Sequence, residues 1–557
     1  MKFDDRAHRH VPVLPPLRID DPQQHSWDHE VDVAVVGLGL AGTAAALEAA
    51  ASGAQVLALD RLSGGGASRL SGGVVYSGGG TRQQREAGIS DSPDNMYEYL
   101  RIQVGGVVSE DTLRRFCQES VANLEWLESL GVRYSSRYYK EKNSFPGGHW
   151  GLYHSGNEAY APYNANTTPA ARGHITQGSG YFGGPALMDP LLAALRGKAN
   201  VTVQTYACVQ RLIVDGQNRV VGLSYRLGPQ SGLLRTIRTA LNQAASKLNI
   251  GLPRSGAPLR ALARGLGVFD REQQVRVRRG VILSAGGFVF NRAMVEQATA
   301  APLRTPHALG EDCNGSGIRL GLTLDASTQR LDRLTYWRFY APPHAWLKAV
   351  SVGLAGQRLC NEALYGATVA DDLLEKSQGR GWLILDEALM QDARQQLRSD
   401  ATLAPVQKMM GWMYIFRCTR KAASLSALAG KIGLPAAALE QTLQHYNQRI
   451  AQRQADEYAK PEKYCVPIET GPFYAIDISI GSKFPCPTLT LGGLSVAEDS
   501  GQVLDARAQP ITNLYAAGRN AVGLCAHTYI SGLSLADCLF SGRRAGRHAA
   551  AAIGPAS

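Results

Sequence analysis

The sequence predicts an α/β protein: a mostly parallel sheet domain whose chain is interrupted by an inserted α+β domain. Three observations predict it. The chain opens on a strand, helix, strand unit at 31–60. Three valine- or alanine-rich strands each end in glycine, at 37–42, 285–287 and 517–518. Between 306 and 485 the pattern changes to mixed helices and short strands. A chain of 557 residues is also too long for one compact core.

The elements follow in order. Residues 1–29, with their prolines and charges, read as an extended arm without the apolar stretch of a secretory signal peptide. VDVAVV at 31–36 reads as a buried strand. GLGLAG follows, then an alanine-rich helix closed by Gly53, then the strand AQVLALD ending in Asp60. Gly37, Gly39, Leu40, Ala41 and Gly42 form a tight turn that lets a pyrophosphate reach a helix N-terminus. Asp60, 18 residues past the last of these glycines, is placed to accept ribose hydroxyls. The unit is a Rossmann-like dinucleotide site, and by itself it does not separate NAD from FAD. The next segment, RLSGGGASRLSGGVVYSGGG, favours FAD. An NAD protein would run into another helix, whereas Arg61, Ala67, Ser68, Ser71, Gly72 and Gly73 give a glycine-rich loop suited to a longer cofactor. The plain alternative is a flexible linker, against which the interleaved VVY speaks.

Residues 91–131 read as helices, 140–185 as a long irregular stretch rich in Gly, Tyr and His, and 201–226 as a strand pair turning at 215–218. RGVILSAGGF at 279–288 and ITNLYAAGR at 511–519 repeat the strand-then-glycine theme. They add Ala285, Gly286, Gly518 and Arg519 to the cofactor candidates. Ligands in open α/β sheets bind at the carboxyl ends of strands, so the three edges are expected to meet there. The sheet domain therefore spans 30–305 and 486–557, with 306–485 inserted.

Composition excludes other classes. The chain is 45% hydrophobic and 19% charged, with no run of 18 apolar residues, so no membrane-spanning helix is expected. Nine cysteines without a C-x-x-C pair argue for a reducing cytoplasm, and no His/Cys cluster has metal spacing. Much of the net charge of +11 is local: eight Lys/Arg against Asp270 alone between Arg226 and Arg271. That stretch has no nucleic-acid motif and almost no aromatics, so nucleic acid is not expected as a partner. Within it, 231–250 has helical apolar spacing with basic residues off the stripe. A basic amphipathic helix suits the inner face of an anionic membrane. The alternative is a helix packed on the sheet domain or at an oligomer interface.

GLGLAG with Asp60, SGG at 71–73, SAGG at 284–287, GPFYAID, LTLGGL and ITNLYAAGR together resemble the fumarate reductase/succinate dehydrogenase flavoprotein superfamily over nearly the whole chain. GGGTRQQREAGISDSPDNM (78–96), PAARGHITQ (169–177) and YISGLSL (529–535) resemble its 3-ketosteroid dehydrogenases, in particular the Δ4-(5α) branch. The Δ1 branch carries Tyr-Pro-Gly-Pro-Gly where this chain reads Tyr-Ile-Ser-Gly-Leu. The resemblance implies FAD, held non-covalently because no histidine stands in 68–73, and a capping domain over it. Arg519 stands where the superfamily usually has glutamate.

The resemblance also implies a site. Dehydrogenation beside a ketone needs a hydride acceptor, a base for the α-proton and a donor to the developing enolate. Tyr529 is the donor, Ser531 receives the proton, and Tyr365 of GQRLCNEALYGA completes a relay, since serine alone is a poor base. Ser534 and Leu535 open the last helix toward the cofactor. The plain reading of the same stretch is a loop with Ser534 as helix cap. His174 and Arg172 are expected to be structural. The implied substrate is a saturated 3-ketosteroid, and the electron acceptor is left open between a quinone and an artificial one. The alternatives are Δ1-dehydrogenation, a fumarate-type or ene reductase, and a flavin-binding protein without turnover.

Overall fold

A computed structural model describes residues 11–251, 255–299, 307–308, 313–484 and 486–552. Its main sheet has nine strands. From one edge, seven run Leu17–Arg18, Ala207–Val214, Val220–Leu227, Arg271–Leu283, His29–Val36, Val56–Asp60 and Val201–Thr205. Pro510–Ala516 pairs with Arg271–Leu283, and Gln502–Leu504 lies outside it. The described part of the N-terminal arm is tied down: Leu17 and Arg18 pair in parallel with Ile213 and Val214. Residues 1–10 of the arm lie outside the described residues.

Register explains why the glycine edges meet. Leu283 pairs in parallel with both Val36 and Ala516. Gly37, Ser284–Gly286 and Ala517–Gly518 therefore leave the sheet side by side at the carboxyl ends of three neighbouring strands. At these carboxyl ends the strands are buried on both faces, as Val33–Val36, Val281–Leu283 and Leu514–Ala516, and read as apolar runs.

The strand pair expected at 201–226 is three strands. Tyr206 takes a left-handed backbone (φ 57°) and breaks the first in two. Val201–Thr205 pairs in parallel with Val56–Asp60, whereas Ala207–Val214 forms the hairpin with Val220–Leu227. A single left-handed tyrosine has no pattern signature, so the run looks continuous in sequence.

Between Leu283 and Gln502 the chain leaves the main sheet. It builds an antiparallel sheet in the order Val350–Val352, Trp382–Leu385, Phe473–Asp477, Thr419–Ala422, packed with helices around a core of its own. The chain then returns and ends on the helix Leu533–Ala551, which crosses Leu40–Ala51 closely. A Cβ on Gly542 would lie 2.3 Å from the Ala41 carbonyl oxygen, and one on Gly546 2.3 Å from that of Ala45. Small residues on both helices thus clamp the last helix onto the fingerprint helix.

Candidate functional site

The three strand ends open into one cavity. Gly37, Gly39, Leu40, Ala41, Asp60, Arg61, Ala67, Ser68, Ala285, Gly286, Gly518 and Arg519, all cofactor candidates in the sequence, line it. The fingerprint glycines divide their work. Gly37 has φ +100°, and a Cβ there would meet the Ala285 Cα at 2.7 Å. A Cβ on Gly42 would lie 1.8 Å from the Gly37 carbonyl oxygen. Gly39 is different: its Cβ would have only the Ser68 Oγ nearby, at 3.6 Å. Gly37 and Gly42 are small because protein packs on them, Gly39 because the cavity lies beside it.

Asp60 is nearly buried, and its carboxylate accepts from the Leu38 N–H (2.8 Å) and the Leu62 N–H (2.7 Å). A carboxylate has about four acceptor sites, so it keeps capacity for ligand hydroxyls. Ser68 Oγ accepts from the Leu40 N–H at 3.1 Å, joining the glycine-rich loop to the start of the fingerprint helix. Arg519 donates through Nη2 to Cys313 Sγ at 3.4 Å, while its buried Nη1 meets no acceptor in the protein. A buried, unpaired guanidinium N–H on a cavity wall is a donor set for an acceptor that the protein does not supply.

Some expected cofactor residues do not line this cavity. Gly42 lies behind the turn. Ser71 bonds within its own loop, to the Ser68 carbonyl at 2.7 Å and from the Gly73 N–H at 3.1 Å. A Cβ on Gly72 would reach the Phe145 ring at 3.1 Å, and one on Gly73 the Thr176 Oγ1 at 2.2 Å. Ser534 and Leu535 lie on the first turn of the last helix, beside Tyr529. Ser534 is not the helix cap. Gly532 (φ +89°) holds that position without a side-chain cap, and Ser534 Oγ instead lies 3.3 Å from the Tyr529 hydroxyl. The sequence missed Cys208, Cys313, Asn314 and Cys538, which also line the cavity. Ser284, which lines it too, bonds the Gly37 carbonyl at 2.8 Å.

The tyrosine–serine loop sits on the strand Val74–Tyr76. The Tyr76 N–H donates to the Gly532 carbonyl at 3.1 Å, and a Cβ on Gly532 would be 2.8 Å from that nitrogen. This brings Tyr529, Ser531 and Tyr365 together. The Tyr365 and Tyr529 rings are 6.5 Å apart, and the Ser531 hydroxyl stands near enough to Tyr365 to offset part of the rise in its pKa. A fourth member was not expected: Tyr153 donates to Ser531 Oγ at 2.9 Å. Trp337 stacks on Tyr529 at 5.0 Å, and Phe339 packs edge-on to Tyr365 at 5.6 Å. The string YWRFY at 336–340 was the signal available for this aromatic wall. Tyr153 lay hidden in the irregular stretch 140–185.

Burial raises the pKa of Tyr529, Tyr365 and Tyr153 above the ordinary phenol value. All three are therefore protonated donors near neutral pH. Behind Tyr365, the buried Lys142 donates to the Gly156 carbonyl at 3.0 Å, and its ammonium stands 6.0 Å from the Tyr365 ring centre. Burial pulls the Lys142 pKa down to about 8. Arg172 makes a two-pronged buried ion pair with Asp91 (2.9 and 2.8 Å), and His174 bonds Thr81 Oγ1 at 2.9 Å. Both are structural, as expected from the sequence.

The parallel strands that end at the cavity and the glycine turn define a dinucleotide-binding protein. The FAD binding domain family matches residues 32–532, and the chain belongs to it. A similar protein is the 3-oxo-5-alpha-steroid 4-dehydrogenase of Comamonas testosteroni, 34% identical over 92% of this chain and 97% of that one. A similar solved structure is the 3-ketosteroid-delta4-(5alpha)-dehydrogenase of Rhodococcus jostii RHA1 in complex with 4-androstene-3,17-dione. It is 31% identical with a TM-score of 0.80, over 96% of this chain and all of that one. The 3-oxosteroid 1-dehydrogenase of Mycobacterium tuberculosis is more distant, at 26% over 90% of this chain and 94% of that one. FAD is therefore the cofactor, and the cavity residues fit it.

Proposed function

We propose that the chain oxidises a saturated 3-ketosteroid, introducing the C4–C5 double bond, with Tyr529, Ser531 and Tyr365 as its catalytic residues. The observation that carries the reading is the meeting of these three hydroxyls against an aromatic wall, at the foot of the helix that also reaches the cofactor cavity through Cys538. The similar enzymes named above act on the same class of compound, and the higher identity is to the Δ4 enzymes.

Gly37–Ala41, Asp60, Arg61, Ala67, Ser68, Ala285–Gly286 and Gly518–Arg519 would hold FAD, non-covalently. Bound FAD supplies the acceptor for the hydride that leaves C5. Tyr529, kept protonated by burial, donates to the C3 ketone oxygen and stabilises the enolate as it develops. The C4 proton leaves to Ser531, which passes its own proton to Tyr365 in its phenolate form, the scarce form at neutral pH. Tyr153 fixes Ser531 Oγ by donating to it. Trp337 and Phe339 offer flat apolar surface to a rigid ring system. The electron pair of the broken C4–H bond forms the new double bond as hydride departs from C5.

The electron acceptor belongs to this reading as a quinone or an artificial acceptor. A place against the membrane surface suits the same chemistry, because steroid and quinone both partition into lipid, and nine free cysteines suit the reducing cytoplasmic side. Among the described residues no helix is long and apolar enough to cross a membrane.

The test is to mix the FAD-loaded protein anaerobically with 5α- and 5β-androstane-3,17-dione and with 4-androstene-3,17-dione, and to follow the oxidised flavin band. Bleaching by a saturated ketone with a 4-ene product supports the reading. Bleaching by the 4-ene compound would transfer the assignment to Δ1. Bleaching by none of them would favour a reductase or a flavin protein without turnover.

A further inference from the structure

The insertion expected at about 228–270 forms a helical hairpin, Gly232–Gly251 and Ala257–Gly265, with its amphipathic sense reversed. Its polar side packs on the sheet domain. Arg238 pairs with Asp270 at 2.8 Å, Arg235 donates to Thr205 Oγ1 at 2.9 Å, and Thr239 bonds the Tyr206 hydroxyl at 2.7 Å. Arg260 is buried, its guanidinium 5.2 Å from the Phe290 ring centre. The apolar side faces outward. Leu233 is 75% exposed, Leu262 58% and Val268 74%, and Leu234, Ile237 and Leu248 are exposed with them. These are six of the ten large apolar side chains exposed among the described residues, gathered within 233–268. Along the first helix, exposed positions 233, 237, 240, 244 and 248 form one stripe of Leu, Ile, Ala, Ala and Leu. Scattered exposed leucines need no explanation, but a continuous patch does.

Charge selects the occupant. Ser231–Phe269 contains six Lys/Arg and no Asp or Glu. Half-exposed Arg264 lies near the outer leucine of the second helix, and exposed Arg271 follows the hairpin. Two copies meeting through this face would bring like charges together with no acid between them. An anionic bilayer offers hydrocarbon to the centre and phosphate to the rim. We propose that the hairpin's outer face docks on the surface of an anionic phospholipid membrane, inserting its leucines and valine without spanning it. This deepens the membrane-face location proposed above, and its test needs no steroid turnover.

The experiment is flotation of the full-length FAD-loaded protein with vesicles of phosphatidylcholine alone or mixed with phosphatidylglycerol, at low and high salt. A variant carrying Leu233→Gln, Ile237→Gln, Leu262→Gln and Val268→Gln is compared. Wild type is expected to float with the mixed vesicles at least about tenfold more than with the neutral ones, less so at high salt. The variant should stay with the soluble fraction while keeping its flavin band and melting temperature. Failure of wild type to float with mixed vesicles, or equal flotation of a folded variant, would overturn the proposal. So would a concentration-dependent dimer, seen by light scattering, that the four substitutions dissolve.

Discussion

The division of labour among the fingerprint glycines gives a sharp test. Gly39→Ala and Gly42→Ala add the same methyl group three residues apart: one beside the cavity, the other against backbone. At Gly42 the new Cβ would sit 1.8 Å from the Gly37 carbonyl oxygen and 2.5 Å from Ser284 Oγ. The helix must move off the strand, at a cost of about 3 kcal/mol or more. At Gly39 the backbone is extended (φ −69°), and the nearest atom is a hydroxyl at 3.6 Å. Apoprotein stability should stay within about 1 kcal/mol of wild type. The methyl instead occupies the cavity wall proposed above to face FAD. Overpacking of about 1–3 kcal/mol would weaken FAD binding roughly 5- to 150-fold. Thermal melts of both apoproteins and titration with FAD, followed by flavin fluorescence, separate the two effects. A Gly39→Ala apoprotein that melts far below wild type, or that binds FAD as wild type does, would refute the assignment of that wall to the cofactor.

Four further outcomes are expected. Arg519→Met removes the unpaired buried Nη1, so the apoprotein should be at least as stable as wild type while FAD binds more weakly, by about tenfold, in the same titration. Tyr153→Phe removes the donor to Ser531; kcat should fall about 5- to 10-fold with steady-state assays showing little change in KM. Because burial raises the pKa of Tyr365, the form able to take a proton is scarce at neutral pH; kcat should climb through the alkaline range, and the climb should vanish in Tyr365→Phe. Burial also raises Asp537 to about 6 from its ordinary value near 4, so the native state binds the extra proton between those values and loses stability as pH rises through them. Asp537→Asn should therefore gain on wild type by on the order of 2 kcal/mol between pH 4 and pH 7 in denaturant titrations. A flat difference across that range would show that the carboxyl is not held in its neutral form.

What could be read in advance was what depends on local periodicity and backbone chemistry. The strand Val31–Val36, the glycine turn and Asp60 declare themselves because strand period, turn residues and acid fall at fixed offsets within thirty residues. The convergence of 285–286 and 517–518 on that turn was legible too, because each follows a buried strand. Tyr153 was not legible. It lies among 22 tyrosines in a stretch without periodicity, and only the fold brings its hydroxyl to Ser531 across 378 positions. The hairpin at 232–265 shows a different limit. Its helical spacing was plain, but spacing gives a stripe without saying which way it faces. Arg238–Asp270 and Tyr206–Thr239 decide that, by turning the polar side inward.

One helix ties the two halves of the site together. Leu533–Ala551 contributes Cys538 to the cofactor cavity, and its first turn carries Ser534 beside Tyr529. Its position is set a further turn along, where Gly542 and Gly546 seat on the Ala41 and Ala45 carbonyls. Those alanines belong to the helix that starts at the glycine turn. A shift at this crossing would therefore displace the cofactor wall and the tyrosine–serine loop in the same direction. Gly532, pressed onto the Tyr76 nitrogen, fixes the loop at the other end. The hydroxyls are thus held in register with the cavity by contacts too close for any side chain larger than hydrogen. This accounts physically for glycine before and within the last helix, and for two hydroxyls placed just ahead of it.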